Sequence, residues 1–167
     1  RTYLEESLVL QREVGDRWAI ANCLNNLANV ARAQGDFHNA AHMYKESLLT
    51  NRDLGDLWAI AYLLEDIGSW AAMQSKPLAA VRLSAAANAL RERIGAPRSS
   101  AEQVKLDQIL KPACAALSEA DIQGEDEIGS ALSMETAIED ALRLLEHSHE
   151  QQERKSGHDL SEAKVSN

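Results

Sequence analysis

The chain has 167 residues, of which 45% are hydrophobic, yet it contains one Phe, three Trp and three Tyr. Its core must therefore be built from Ala, Leu and Ile, a composition typical of an all-helical protein. The net charge of −9 argues against nucleic-acid binding by this chain, which would need a basic stripe. The sequence contains no run of about 18 apolar residues, so it predicts no membrane span.

The distribution of the acidic residues and the two cysteines allow two further predictions. From Pro112 to Leu142 there is no Lys or Arg, and we interpret this acidic block as a solvated surface. Its acidic residues are Glu119, Asp121, Glu125, Asp126, Glu127, Glu135, Glu139 and Asp140. Cys23 and Cys114 are expected to be reduced thiols of a cytoplasmic protein, although the sequence leaves a disulfide between them open.

The chain repeats itself at a step of 40 residues. ESL at 6–8 returns at 46–48, GD at 15–16 returns at 55–56, and WAIA at 18–21 returns at 58–61. A third, weaker copy leads to Gly95. Such a period is the signature of a solenoid, whose stacked units leave one extended face open, and it favours binding over catalysis.

Apolar spacing and capping residues predict the repeat helices in chain order. The first helix runs from Tyr3 to Val14 and ends at Gly15, after which Asp16 caps the next. Four further helices are predicted over Arg17–Gln34, Phe37–Leu54, Leu57–Gln74 and Pro77–Ile94.

The remaining chain is predicted to cap the repeats. Ser99 and Glu102 form a capping box, so a helix should run to about Leu117, with a kink or interruption at Lys111-Pro112. A Gly-containing acidic connection should follow, and then a short helix from Met134 to about His147, capped by Ser133.

Three regions are therefore expected. Residues 1–95 should hold the helical repeats with an incomplete first unit, 96–147 the capping helices with the acidic connection, and 148–167 a disordered tail with few large aliphatic residues.

The pattern of small and large residues resembles the tetratricopeptide repeat. In the first unit it comprises Leu24, Leu27, Ala28, Ala31, Ala40, Tyr44 and Ser47, and in the second Leu64, Ile67, Gly68, Ala71, Ala80, Ser84 and Ala87. The resemblance implies an all-α, right-handed superhelix of antiparallel helix pairs, a tetratricopeptide-like α-solenoid with a C-terminal capping helix. The period exceeds the usual value of about 34, but Gly or Ala at the helix crossing favours this class over HEAT-type repeats.

The sequence LGDLWAIA at 54–61 and the segment 128–142 resemble the C-terminal sensor repeats of bacterial STAND-type signalling ATPases, including LuxR-type transcriptional regulators. This implies a piece of a longer regulator, as does the start at Arg1 within a repeat. No phosphate-binding loop or helix-turn-helix motif is present, so neither ATPase nor DNA-binding activity is expected of this chain.

In tetratricopeptide stacks the first helix of each unit lines a concave groove, and the resemblance therefore implies a set of groove residues. They are Asn22, Asn25, Asn26, Asn29 and Arg32 in one unit, and Tyr62, Glu65, Ser69 and Met73 in the next. The amides can hold a peptide backbone and Arg32 a carboxylate. Replacing Asn25, Asn29 and Arg32 is expected to change stability very little. The alternative is that the Asn residues only satisfy turns and neighbouring helices.

Other patterns are weaker. His38, His42 and Glu46 share one helix face, but a metalloprotease motif is incomplete and no further ligand is obvious. Trp18 and Trp58 occupy equivalent positions, which favours contacts between units over a ligand cage.

No nucleophile has a visible base and orienting carboxylate, so neither an enzyme nor a cofactor is predicted. The favoured function is a non-enzymatic module that binds a peptide, a protein or a small effector. The alternatives are self-assembly through Leu4, Leu8 and Val9 of the first helix, and a metal-dependent enzyme using the His38 cluster.

Overall fold

The computed structural model describes residues 1–147, and every regular element within them is an α-helix. The helices are α1 (Thr2–Val14), α2 (Arg17–Ala33), α3 (Phe37–Leu54), α4 (Leu57–Met73), α5 (Pro77–Arg93), α6 (Ser100–Cys114), α7 (Glu119–Ala131) and α8 (residues 134–147). The tail predicted over 148–167 lies outside the described residues. No helix in the described part is both long and apolar enough to cross a membrane.

The repeat helices begin and end where the sequence predicts, within one residue at each end. The side chains of Asp16, Asp36 and Asp56 each accept a hydrogen bond from a backbone amide three residues later, so they cap α2, α3 and α4. Gly15 and Gly55 close α1 and α3 in the left-handed conformation, with φ of 77° and 68°.

One turn departs from the glycine pattern. Gly35, between α2 and α3, has a φ of 78°, and the equivalent residue between α4 and α5 is Ser75, with a φ of 55°. Ser75 is the only residue other than glycine with positive φ in the described chain. A side chain in this region is strained, because its Cβ approaches the backbone.

The helices pack as antiparallel pairs, α2 with α3 and α4 with α5. A Cβ at Gly68 would lie 3.0 Å from Ser84 Oγ and 3.3 Å from the Ala80 carbonyl oxygen, so α4 and α5 cross closely at this point. The core is built mainly from Ala, Leu and Ile, as predicted, with Tyr44 and Trp70 as its large aromatic members. This architecture is an α-solenoid.

The solenoid is curved. Helix α4 contacts α2 on one side and α6 on the other, whereas α3 and α5 hardly touch. The layer whose helices approach more closely must be the inner one, so α2, α4 and α6 line the concave side. Helix α1 packs against α2 and has no fully buried residue.

The acidic connection predicted after the repeats is instead the helix α7. Ser118 and Asp121 form a capping box that starts it, a signal that the acidic composition concealed. The helix packs on α5, and a Cβ at Gly129 would clash with the Arg82 carbonyl oxygen. Only glycine permits this approach.

Helix α6 ends at Cys114 rather than Leu117, and it is not interrupted before Pro112. Pro112 lies in the last turn, so the backbone hydrogen bond that it cannot donate is lost close to the end of the helix. The cap predicted for α8 is confirmed, since Ser133 Oγ accepts a 3.1 Å hydrogen bond from the Thr136 amide.

Helix α8 lies across the outer side of α3 and α5. Lys45 of α3 contacts Glu146 at 2.7 Å, and Arg82 of α5 lies 3.4 Å from Asp140. Ile138, Ala141 and Leu145 of α8 are buried in the core. The acidic side chains of α8 therefore meet basic side chains of the repeat helices.

Candidate binding surface

The inner face is the solvent-facing stripe of α2 and α4. On α2, Trp18, Asn22 and Asn26 follow one another at a spacing of four, which places them on one side of the helix. On α4, Trp58 and Tyr62 begin the equivalent stripe, and Asp66 and Met73 continue it. The structure thus brings the predicted groove residues onto two neighbouring helices.

Asn29 is bound internally rather than presented to a partner. Its amide donates a 2.9 Å hydrogen bond to Asp66 Oδ2 of α4, and its carbonyl oxygen accepts a 2.7 Å hydrogen bond from the Tyr44 hydroxyl of α3. One side chain therefore connects three helices. This contact corresponds to the alternative that the sequence left open, in which an Asn satisfies a neighbouring helix.

Arg32 is also directed at Asp66. Its guanidinium donates a 3.1 Å hydrogen bond to the Asp66 carbonyl oxygen and lies 3.8 Å from a carboxylate oxygen of the same residue. The Arg32 and Asp66 side chains are only 14% and 21% exposed. The carboxylate that Arg32 contacts here belongs to the chain itself, so the expectation that its replacement leaves stability unchanged does not fit these contacts.

The electrostatics of this cluster follow from its burial. Burial raises the pKa of the Asp66 carboxyl above its ordinary value, while Arg32 and the amides of Asn29 and Asn25 act in the opposite direction. Burial also raises the pKa of the Tyr44 hydroxyl. Asp66 was not among the predicted residues, because its partners become visible only when α2 and α4 are packed together.

The other amides of α2 retain unused hydrogen-bonding groups. Asn22 Nδ2 and Asn25 Oδ1 are buried and have no hydrogen-bond partner among residues 1–147, and Asn26 is exposed. An unpaired buried donor or acceptor costs free energy. The inner face of α2 therefore carries one donor and one acceptor that the described chain leaves unsatisfied.

Tyr62 and Glu65 belong to a second internal cluster. Glu65 Oε2 accepts from Arg91 Nε at 3.1 Å and from Arg98 Nε at 2.6 Å. The Arg91 guanidinium lies 3.9 Å from the centre of the Tyr62 ring, and the Tyr62 hydroxyl donates a 3.1 Å hydrogen bond to Glu102. These contacts tie α4 to α5 and α6.

Sequence reasoning missed both arginines of this cluster. Arg91 occupies the repeat position of Asn51, and both are polar residues at a core position, with exposed fractions of 2% and 1%. A polar residue recurring at a buried repeat position was the available signal. Arg98 follows the last repeat, so no equivalent residue marks it.

The two repeat tryptophans have different surroundings. Trp18 donates a 3.0 Å hydrogen bond from Nε1 to Asp56, which confirms a contact between units. The residue equivalent to Asp56 one repeat later is Ala96, which offers no side-chain acceptor. Trp58 instead contacts the Tyr62 ring in a tilted arrangement, with ring centres 4.3 Å apart. Each indole is 57% exposed.

The last two predicted groove residues differ in exposure. Ser69 is buried at 3% exposure, whereas Met73 is 46% exposed, so only Met73 offers apolar surface.

Within residues 1–147, no group of three or more His, Cys, Asp and Glu side chains is arranged to hold a metal ion. Both thiols, Cys23 and Cys114, are free and half-buried.

The family model described as Tetratricopeptide repeat matches residues 1–48, which comprise α1, α2 and most of α3. No curated protein and no solved structure gives a significant match. The chain has an all-α, tetratricopeptide-like solenoid fold. Tetratricopeptide repeats generally mediate protein–protein interactions, and the proteins that carry them are typically non-enzymatic.

Proposed function

We propose that the chain is a non-enzymatic interaction module that binds an extended peptide segment of a partner protein on the inner face. The supporting observation is the row of amide side chains on α2. Asn26 is exposed, and the half-buried side chains of Asn22 and Asn25 each keep one atom, Nδ2 and Oδ1, without a hydrogen-bond partner in the described chain. In the proposed setting this module forms the C-terminal sensor part of a bacterial signalling regulator.

The chemistry of the amides suits a peptide backbone. Each peptide unit offers one donor and one acceptor, and a side-chain amide offers both in return. Contacts of this kind do not depend on the partner's side chains, so they tolerate sequence variation. Trp58, half of whose surface is open, supplies an apolar contact at the end of the same face.

The remaining polar residues of the inner face have a supporting role in this proposal. Asn29 and Arg32 hold Asp66, while Tyr62 and Glu65 hold the two arginines. They fix the relative positions of α2, α4 and α6, so they shape the surface that Asn22, Asn25 and Asn26 present.

The test is selection of binding peptides from a random display library on the immobilised chain, followed by titration of a selected peptide in solution. Replacing Asn22, Asn25 and Asn26 together by Ala should weaken binding about tenfold or more, since each lost hydrogen bond costs about 0.5–1.5 kcal/mol. Asn39→Ala, on the exposed start of α3, is the control and should leave affinity unchanged. A triple variant that binds like the parent chain would contradict the proposal.

Self-assembly through α1 is a second candidate. Tyr3, Leu10 and Val14 are 87%, 59% and 78% exposed and share one side of the helix. The predicted contacts Leu4 and Leu8 are half-buried, since α2 covers part of them, whereas Val9 is 57% exposed. Replacing Leu10 and Val14 by Glu should then convert an oligomer to a monomer in sedimentation experiments, and Val104→Glu on α6 should not. A parent chain that is monomeric at high concentration would exclude this candidate.

A further inference from the structure

A cleft separates the two helices that follow the repeats. Helices α6 and α7 both pack on α5 but hardly touch each other, so a wedge-shaped space of about 360 Å³ remains between them. This volume is within the range of small-molecule sites, about 300–1,000 Å³. The cleft is distinct from the inner face of α2 and α4.

The walls of the cleft are mainly apolar, and its polar groups are concentrated at α5 and the start of α6. The apolar lining consists of Val81, Ala85, Leu106, Leu110, Cys114 and Ile122. Asn88, Arg98 and Gln103 provide polar groups, and Asp126 is the single acidic residue among the lining side chains. Such a site suits a ligand with an apolar body and one polar end.

Arg98 is the group that defines the chemistry of that polar end. Its side chain is 6% exposed and is held by Glu65 at 2.6 Å and by Asn88 at 2.9 Å. Its Nη2 atom is buried and has no hydrogen-bond partner in the described part of the chain. The position of the guanidinium is therefore fixed while one of its donors is unused.

The unused donor of Arg98 favours an anionic ligand. Glu65 pairs with both Arg98 and Arg91, whose side chain is 2% exposed. Glu102, which accepts the Tyr62 hydroxyl, is a second carboxylate near Arg91. Both arginines therefore have counter-charges, and what Arg98 lacks is an acceptor for Nη2. A carboxylate would supply this acceptor in a charge-assisted hydrogen bond, which is stronger than a neutral one.

We propose that the cleft between α5, α6 and α7 binds a small amphipathic carboxylate, with its carboxylate at Arg98 and its apolar chain along Leu106, Leu110 and Ile122. This site does not depend on peptide binding at the inner face. The expected ligand therefore carries one carboxylate and a short hydrocarbon chain.

Cys114 provides a built-in reporter because its half-buried thiol lines the cleft. In a Cys23→Ala background, the rate at which a thiol reagent modifies Cys114 would be measured against increasing octanoate. Octan-1-ol and octylammonium, which have the same hydrocarbon chain, are the neutral and cationic comparisons. We expect octanoate to slow modification at least tenfold and in a saturable manner, and the other two to have little effect.

Two variants with matched controls test the two ends of the site. Arg98→Gln should abolish protection by octanoate, whereas Arg93→Gln, an exposed arginine on α5, should retain it. Ile122→Phe should fill the cleft and abolish protection, whereas Ile128→Phe, 48% exposed on the same helix, should retain it. Circular dichroism would confirm that each variant is folded, and Ile122→Phe still tests the site if Arg98→Gln does not fold.

The outcomes separate clearly. Protection that is specific for octanoate and lost in both cleft variants supports the proposal. Equal protection by all three compounds would show that the cleft accepts any apolar chain, which overturns the assignment of Arg98. No protection by octanoate at saturation overturns the site itself.

Discussion

Asn29 of the first helix pair donates its amide to the carboxylate of Asp66 in the second pair, at 2.9 Å. The two repeats are thus joined on their inner side by a polar contact as well as by apolar packing. Because Arg32 adds the counter-charge, the junction holds a largely buried carboxylate that contacts Asn29 and Arg32, both on α2.

Removal of the counter-charge should destabilise the fold. Arg32→Gln is expected to lower the free energy of unfolding by about 1–3 kcal/mol, because it leaves the Asp66 carboxylate without its cation. Adding Asp66→Asn to that variant should recover part of the loss. Urea unfolding measures both, and Arg17→Gln, which breaks the exposed contact with Asp53, is the control with an effect below about 0.5 kcal/mol. Equal effects of Arg17 and Arg32 would contradict this account.

The pKa of Asp66 predicts a pH dependence with a defined sign. Because the pKa of Asp66 is raised in the folded state, there is a pH range in which the carboxyl of Asp66 is protonated in the folded chain but ionised in the unfolded chain. The contribution of Asp66 to stability therefore falls as the pH rises from the ordinary value of 3.8 toward the raised value. Urea unfolding across this range should show the parent chain losing stability relative to Asp66→Asn.

Glu102 should contribute a pH dependence of stability opposite in sign to that of Asp66. Hydrogen bonds from the Ser99 backbone and hydroxyl, and then from Tyr62, lower the pKa of its carboxyl. Its contribution is present above the ordinary pKa and is lost as the pH falls through the lowered value. The parent chain should therefore lose stability relative to Glu102→Gln on acidification. Parallel behaviour of the two variants would show that at least one of the two carboxyls is not perturbed as described.

The strained turn at Ser75 should respond to glycine. Ser75→Gly is expected to raise the free energy of unfolding by about 1 kcal/mol, because glycine adopts the positive φ without a Cβ clash. The reciprocal change, Gly35→Ser at the equivalent turn, should lower it by a similar amount. Thermal unfolding of the two variants checks this, and a Ser75→Gly chain that melts below the parent would be inconsistent with the strain.

The two glycines of α7 should behave in opposite ways. Gly129→Ala places a Cβ against the Arg82 carbonyl oxygen and is expected to cost about 1–3 kcal/mol as α7 is displaced from α5. At Gly124 a Cβ meets nothing within 4 Å, so Gly124→Ala should add about 0.5–1 kcal/mol through helix propensity. Hydrogen exchange of the α7 amides distinguishes local displacement from global unfolding.

The repeat helices were predictable because their signals are local. Asp16, Asp36 and Asp56 stand directly at the helix starts, and Gly15 and Gly55 directly after the ends, so backbone chemistry within a few residues sets each boundary. Helix α7 was missed because its acidic composition suggested a solvated connection. Its capping box spans only Ser118 to Asp121, a short signal within a charged run.

The candidate surface was only partly predictable, since helical spacing gives the face of a residue but not its partner. Asn26 and Asn29 lie on the same stripe, yet Asn26 is exposed while Asn29 contacts Asp66. The difference arises from the approach of α4, which no spacing within α2 reveals. For the same reason Arg32 was assigned to a ligand, whereas the structure pairs it within the chain.

Helix α8 has a consequence for how the chain folds. Units of a simple solenoid contact only their neighbours, so each end can unfold independently. Here α8 rests on both α3 and α5, and its contact between Glu146 and Lys45 joins residues 101 positions apart. Loss of the first helix pair therefore also removes the support of the last helix, and the described chain should unfold in one cooperative step. During synthesis, that closure must wait until nearly all of the described chain has left the ribosome.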